Sequence, residues 1–407
     1  MENKAYRLGT HRALTPGDTL RRVRPVLSDM GITRVANVTG LDRVGIPVYT
    51  SFRPLSRSIS VSQGKGLEPD AAKVSSIMES VETYHAETVT QPLKYASINQ
   101  LIDNFSLVDI NKLARNSKQS ISKDQPLFWI EGKNLFNNSP IWLPFEMVST
   151  DYTMPGLNGS GLFAANTNGL ASGNTLNEAI CHAIFEVVER DAEALWNQQA
   201  VSEQITSGLN LQSIDDANCL WLLEKFENAD IEIKIWDMTS DVGLPSYICL
   251  AIGDENDWAD PEFGAGCHAA REIALSRAIT EAAQARATYI AGSRDDVGLS
   301  EYKNAQRQRR RIQGLNQFRK HQSRRNFATT VSFDNEHIED DLELCLRQLK
   351  SVDIDQVVAV DLSKAEIGLA VAKVVIPGLE GAYGHWHSSY LPGPRAKSLM
   401  KLPFDIG

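Results

Sequence analysis

Residues 179–189 read AICHAIFEVVE: Ala179 is followed by a glutamate seven residues on, Glu186, and a second three beyond that, Glu189. The spacing occurs twice more, in AKVSSIMESVE (Ala72, Glu79, Glu82) and in ALSRAITEAAQ (Ala274, Glu281, Gln284). On a helix, residues three, four and seven apart lie on one face. Ser75, His182 and Arg277 share that face, as do Ser76, Ala183 and Ala278. The other faces are apolar: Val74, Ile77 and Val81; Ile180, Ile184 and Val187; Ile273, Ile279 and Ala282. One Glu pair on an amphipathic helix is usually a solvated face. Three recurrences, with small residues where a ligand would approach and only Arg277 as a base, are not ordinary surface. Three such helices facing one another bring Glu79, Glu82, Glu186, Glu189 and Glu281 into one cavity. Unpaired buried carboxylates are costly, so the arrangement needs cations. Hard oxygen ligands suit Mg²⁺, which commonly also holds a phosphate-bearing substrate.

The chain has 407 residues and a net charge of −10, enough length for a large core and the wrong sign for a nucleic-acid partner. No apolar run is long enough to span a bilayer and no secretory signal opens the chain, so no membrane role and a cytoplasmic protein are expected. Cys181, Cys219, Cys249, Cys267 and Cys345 are odd in number and lack a CxxC spacing, against a disulfide framework or structural zinc. His385 and His387 share a strand face, a weak metal signal without further ligands.

Along the chain, Pro16 and Gly31 bracket a helix over 16–30, and 46–62 alternates as a strand. A glycine loop, Gln63-Gly-Lys-Gly66, leads to the first acidic helix from Asp70. Residues 127–149 read as a hairpin around Asn137–Pro140. A long glycine- and asparagine-rich loop, 155–175, precedes the second acidic helix, 176–198, with Ser172, Asn174 or Thr175 as its N-cap. A helix at 210–228 and strands at 231–239 and 245–253 follow. Another glycine loop, 263–267, precedes the third acidic helix, 269–290. Residues 303–325 carry nine basic side chains, including Arg309–Arg311, and read as a solvated helix or a surface for an acidic peptide. A helix at 338–351, strands at 357–363 and 369–377, and an irregular tail from 381 complete the chain. The expected class is α/β or mixed α+β, one unit over 1–407. It comprises an N-terminal segment, 1–60, and a core, 61–400, with motifs at 62–87, 172–196 and 266–286.

Other nucleotide and hydrolase motifs fail. Gly64-Lys65-Gly66 lacks the upstream glycine and following Ser/Thr of a P-loop, position 158 is Asn where a nucleophile elbow needs otherwise, and no HExxH occurs.

QGKGLEPDAAKVSSIMESVE, SGNTLNEAICHAIFEVVERDA and ALSRAITEAAQAR resemble, in order, the three nucleotide-binding motifs of the YcaO superfamily. The likeness runs from about residue 7 to 400. It implies a YcaO-type fold with internal pseudo-symmetry, its acidic helices lining a central nucleotide cleft backed by β-sheets. It further implies ATP and Mg²⁺ as cofactors, used to activate a backbone amide of a ribosomally made peptide or protein. The amide oxygen is a poor leaving group until phosphorylated. Carried over by residue, Glu79, Glu82, Glu186, Glu189 and Glu281 match the acids that hold Mg²⁺ and phosphate, with Glu186, Glu189 and Glu281 at the chemistry. Asn174, Glu178, Arg190 and Gln284 match polar positions of the pocket, and Ser75 a hydroxyl beside the nucleotide. Arg12 and Thr19 resemble a basic and a hydroxyl nucleotide contact, and Arg286 and Arg395 are phosphate candidates.

Azoline-forming members commonly end in PxPxP, whereas this chain ends KLPFDIG. RLGTHRALTPGDTL, GITRVANVTGLDRVGIPV and VVIPGLEG are similar to members that work with a TfuA-type partner and install thioamides with sulfide. The resemblance therefore implies thioamide formation, with a TfuA-type partner, a separate sulfide donor and a precursor peptide. The alternatives are an azoline-forming cyclodehydratase and a non-catalytic nucleotide-binding scaffold, and a homodimer is left open.

Overall fold

Where glycine-rich stretches predict loops before the acidic helices, the chain forms strands. The computed structural model describes residues 2–116, 120–153, 160–254, 257, 259–293, 315–319, 323–381 and 391–399. In chain order, α1 (Pro16–Val23) precedes an antiparallel sheet of β1 (Arg34–Asn37), β2 (Val48–Phe52) and β3 (Val61–Lys65), and β3 leads into α2 (Pro69–Glu87). There follow β4 (Leu93–Ala96), α3 (Ile98–Leu101), β5 (Leu127–Asn134), β6 (Ser139–Pro144) and β7 (Leu170–Gly173), which leads into α4 (Leu176–Gln198). Next are α5 (Val201–Thr206), α6 (Ala217–Asn228), and β8 (Glu232–Asp237), β9 (Ser246–Ile252) and β10 (Glu262–Cys267); β10 leads into α7 (Arg271–Ile290). The rest is α8 (Asn316–Arg319), α9 (Ile338–Ser351), β11 (Val358–Asp361), β12 (Ala370–Val375) and α10 (Pro394–Leu399).

Each acidic helix thus follows a strand of a different sheet: β1-β2-β3, β10-β9-β8, and the six-stranded β4-β5-β11-β12-β7 with β6 on β5. That is the internal pseudo-symmetry of the mixed α+β fold. The glycines are needed because helix and strand touch backbone to backbone. A Cβ on Gly64 would lie 2.0 Å from the Ser76 amide nitrogen, and one on Gly266 would lie 2.2 Å from the Ala274 carbonyl oxygen. Ser76 and Ala278 stand three residues before their key glutamates, so the small residues serve strand contact as well as the cavity.

The β11-β12-β7 part of the six-stranded sheet is buried on both faces. Val358, Val360, Val371 and Val375 join Ile77, Val81, Trp129 and Leu143 on one side. Ala359, Ala372 and Val374 join Ile184, Val188, Leu344 and Leu349 on the other. Alternate residues of β11 and β12 therefore enter different cores, as the two-residue strand period requires. A third core lies between α6, α7 and the β8–β10 sheet, around Phe226, Tyr247 and Ile279.

The helix expected over 16–30 stops at Val23, with a 3₁₀ turn from Arg24 to Val26, because Pro25 has no N–H to continue it. The strand expected over 46–62 is two strands folded back at Arg53-Pro54, with Arg53 N donating to Ser60 O at 2.8 Å. The helix expected from 210 starts at Ala217, capped by Asp216, whose carboxylate accepts from Cys219 N at 2.8 Å. Of the basic run 303–325, residues 303–314 and 320–322, including Arg309–Arg311, lie outside the described residues, as do His385, His387 and the tail beyond Leu399. In its described part, Phe318 packs on Trp196 and Trp236, Arg319 pairs with Glu232 at 2.6 Å, and Arg325 with Asp237 at 2.8 Å.

Candidate functional site

Three helices converge on a cavity of about 710 Å³. α2 brings Ser75, Glu79 and Glu82 to its wall; α4 brings Glu178, His182, Glu186, Glu189 and Arg190; α7 brings Arg277, Glu281 and Gln284. Asn174 enters from the turn before α4, where Thr175 is the N-cap, its hydroxyl accepting from Glu178 N at 3.2 Å. Arg12 and Thr19 close the N-terminal side. Thr19 Oγ1 donates to Asn174 Oδ1 at 3.1 Å, and Glu178 accepts from Ala13 N at 2.9 Å, beside Arg12 at 3.8 Å. Twelve of the fourteen residues singled out in the sequence line this one space.

The two others do not. Arg286 is fully buried against Asp42 and Asp257, with ion-pair distances of 3.0 and 3.2 Å. Arg395, on α10, pairs with Asp191 at 2.9 Å and with Asp241. Both guanidiniums neutralise acids of the chain itself and stand outside the cavity lining.

The glutamates are held by strand backbones as well as by cations. Glu79 accepts from Gln63 N at 3.1 Å, Glu82 from Ser172 N at 2.8 Å and Ser172 Oγ at 2.7 Å, and Glu189 from Cys267 N at 2.9 Å. Glu82 and Glu189 hold corresponding positions in α2 and α4, and each reaches the strand that leads into the next acidic helix. Arg190 bridges Glu189 at 3.4 Å, Glu193 at 3.1 Å and Glu281 at 3.9 Å. Lys65 ion-pairs with Glu281.

These neighbours set the charge. Burial pushes Glu79 up to about 7 and Glu82 up to about 8, because their few donors do not offset the lost water. Burial also raises Glu186 and Glu189, against the pull of Arg190. Glu281 goes the other way: burial would raise it, but Lys65 and then Arg190 hold it far below the usual carboxylate range. Within one cavity the neighbours thus push Glu281 toward the ionised form and burial pushes the other glutamates toward the protonated form.

Sequence reasoning passed over three participants. Lys65 belonged to a rejected motif and Arg277 was placed on the acidic face without a role; both line the cavity. Arg277 Nε is buried with no hydrogen-bond partner among the described residues, the kind of orphan an anionic ligand would satisfy. Lys373, 1% exposed on β12, donates to Asn166 O at 2.6 Å and sits beside Glu186; burial pushes its ammonium down against the pull of that glutamate. Its apolar strand context, LAVAKVVIP over 369–377, gave no hint of this.

A second cluster sits behind Arg12. His11, His268 and Asp341 bring ligand atoms within 4.8 Å of one another. Lys4 Nζ already holds the Asp341 carboxylate at 2.6 Å, and His268 Nδ1 accepts from Ala270 N at 3.0 Å. The cluster therefore contains its own cation and latches the N-terminal arm to α9.

Carboxylates from three helices, interleaved with guanidinium and ammonium groups around a space of this size, suit a metal-bound polyphosphate. Residues 63–380 match the family model described as YcaO cyclodehydratase, ATP- and Mg²⁺-binding, and the chain belongs to the YcaO family. ATP and Mg²⁺ are the cofactors, and the hard-oxygen donors fit them. The chain is 34% identical over 385 residues to an uncharacterized protein in the tfuA 3′ region of Rhizobium leguminosarum bv. trifolii, covering 91% of this chain and 88% of the relative. An uncharacterized protein of Methanothermobacter thermautotrophicus is 32% identical over 91% of this chain and 95% of its own. The fold is that of YcaO from Methanopyrus kandleri bound with AMPPCP and Mg²⁺, with a TM-score of 0.75 at 21% identity, covering 93% of this chain and 95% of that one. A heterocyclase in complex with substrate and cofactor matches with a TM-score of 0.75 at 22% identity, over 93% of this chain and 53% of its own. Among the described residues no helix is long and apolar enough to cross a membrane.

Proposed function

We propose that this protein uses Mg-ATP to activate a backbone amide of a peptide or protein, and that sulfide from a partner then replaces the amide oxygen to give a thioamide. The observation that carries the first part is the single cavity built from Glu79, Glu82, Glu186, Glu189 and Glu281. In this reading those carboxylates hold Mg²⁺, with Glu186, Glu189 and Glu281 nearest the chemistry. Arg12, Arg190 and Arg277 face the phosphates, and Thr19, Ser75, Asn174, Glu178 and Gln284 position the nucleotide. Bound Mg-ATP supplies the phosphoryl group that turns the amide oxygen into a leaving group. The chain's part is to fix the acids on three rigid helices and to exclude water from the cavity floor.

The second part is supported by the relative in a tfuA 3′ region, at 34% identity over 91% of the chain. Hydrosulfide would add to the carbonyl carbon, the former carbonyl oxygen would take the phosphoryl group and leave as hydrogen phosphate with the hydrosulfide proton, and ADP would be the other product, so atoms and charge balance. A TfuA-type protein is the proposed deliverer of sulfide. All five cysteines are buried, and burial raises the thiols of Cys219, Cys249, Cys267 and Cys345, which suits them to packing rather than to sulfur transfer.

The family description and the heterocyclase likeness favour a second reading, azoline formation from Cys, Ser or Thr. Intact mass decides between them, after incubation of a precursor peptide with the protein, Mg-ATP, sulfide and a TfuA-type partner. Sulfide-dependent exchange of oxygen for sulfur supports thioamidation; loss of water without sulfide supports azoline formation.

A further inference from the structure

We propose that Lys65 is a mobile clamp for the terminal phosphate of the nucleotide: it neutralises Glu281 while that carboxylate is bare, and turns to the phosphate when Mg²⁺ takes its place. The inference rests on the reading of the cavity as a Mg-ATP site. Lys65 and Glu281 lie 216 residues apart in sequence, yet their side chains meet inside the cavity, 16% and 23% exposed. A divalent cation on Glu281 would stand against the ammonium and repel it, so the two compete for that carboxylate.

The backbone under Lys65 cannot retreat. Its neighbours Gly64 and Gly66 lie so close to α2 that a Cβ on either would come within 2.0 and 2.8 Å of other atoms. Only the four-carbon stem can move, and it carries a compact charge with rotatable donors and no fixed fork, as following a phosphate requires. Of the other cations of the wall, Arg277, whose Nε has no hydrogen-bond partner among the described residues, is a fixed fork open to the same space, and two are already paired with acids. Arg190 is spread over Glu189, Glu193 and Glu281, and Arg12 stands at Glu178. Lys65 has Glu281 as its one ion-pair partner among the described residues. The stretch Gly64-Lys65-Gly66, which fails as a Walker loop, thereby gains a role: it presents a phosphate-reaching lysine from a strand end.

The test compares the full chain with Lys65→Met in two binding measurements. Mn²⁺ binding without nucleotide, followed by electron paramagnetic resonance, should tighten about threefold in the variant, because the competing ammonium is gone. Calorimetry should show Mg-ATP binding weakened about tenfold, about 1.4 kcal/mol, with AMP affinity changed by less than about twofold. Lys65→Gln carries the same test should Lys65→Met not fold. Weaker Mn²⁺ binding together with a lower melting temperature would show a structural partner of Glu281 and overturn the clamp. Unchanged Mg-ATP affinity would overturn it too. Failure of the unaltered chain to bind Mg-ATP would instead remove the site reading on which the clamp stands.

Discussion

Glu82 of α2 accepts two hydrogen bonds from Ser172 of β7, one from the amide and one from the hydroxyl. The contact ties the first acidic helix to the strand that launches the second, and Glu189 repeats the device with Cys267 of β10. Acids that grip the next unit's strand make the three helices one frame. A shift of any strand would reposition a carboxylate.

Ser172→Ala should therefore act on binding as well as on stability. The lost hydroxyl donor costs about 1 kcal/mol of folding free energy, and Glu82, left with the backbone amide, becomes still harder to ionise. Mg-ATP affinity should fall several-fold, measured by calorimetry. A loss of stability with unchanged affinity would disconnect Glu82 from the ligand.

Glu186→Gln and Glu281→Gln should each abolish Mg²⁺-dependent ATP turnover. Their effects on stability should differ. Glu186→Gln removes a carboxylate that burial disfavours, so its melting temperature should hold or rise. Glu281→Gln leaves Lys65 without its ion pair and should lower it. Normal turnover in either variant would mean the glutamates do not act on one substrate.

Acid–base behaviour follows from Glu79, raised to about 7, and Glu82, raised to about 8. A carboxyl raised in the folded state binds its proton more tightly there than when unfolded. Its stabilising contribution is complete below the ordinary value near 4.5 and is lost as pH rises through 7 to 8. Without metal, the melting temperature should fall between about pH 5 and 8. Mg²⁺ with ATP needs the ionised carboxylates, so it should bind more tightly toward pH 8 and offset the loss. Melting curves at several pH values, with and without Mg-ATP, check both slopes; a metal-free curve that rises over that range would contradict the assignment.

Arg286→Met separates architecture from binding. It strips Asp42 and Asp257 of the guanidinium they share in the interior, at a cost of about 3–5 kcal/mol. At a temperature where the variant stays folded, its Mg-ATP affinity should equal that of the unaltered chain. A selective loss of affinity would return Arg286 to the phosphate site.

The three acidic helices were legible because helical periodicity is local: α4 was expected over 176–198 and spans Leu176–Gln198. The strands feeding them were not. Glycine is a poor strand former in isolation, and Gly64 and Gly266 are strand residues only because a helix lies on them, which no local pattern reports. The carboxylate set could be read for the same local reason, but its counter-ions could not. Lys65 meets Glu281 across 216 residues, and Lys373 sits beside Glu186 from a strand whose pattern reads as apolar. Arg286 and Arg395 carried the phosphate-binding chemistry in sequence but were claimed by acids elsewhere in the fold.

The most direct test of the account is calorimetric titration of ATP into the full chain, once with Mg²⁺ and once with EDTA. One site filled from three helices predicts saturable binding, with one ATP per chain, that requires Mg²⁺ and disappears in EDTA, since without the ion nothing bridges the phosphates to the carboxylates. Equal binding in both buffers, or none with Mg²⁺ present, would contradict the claim that the converging glutamates form a Mg-ATP site.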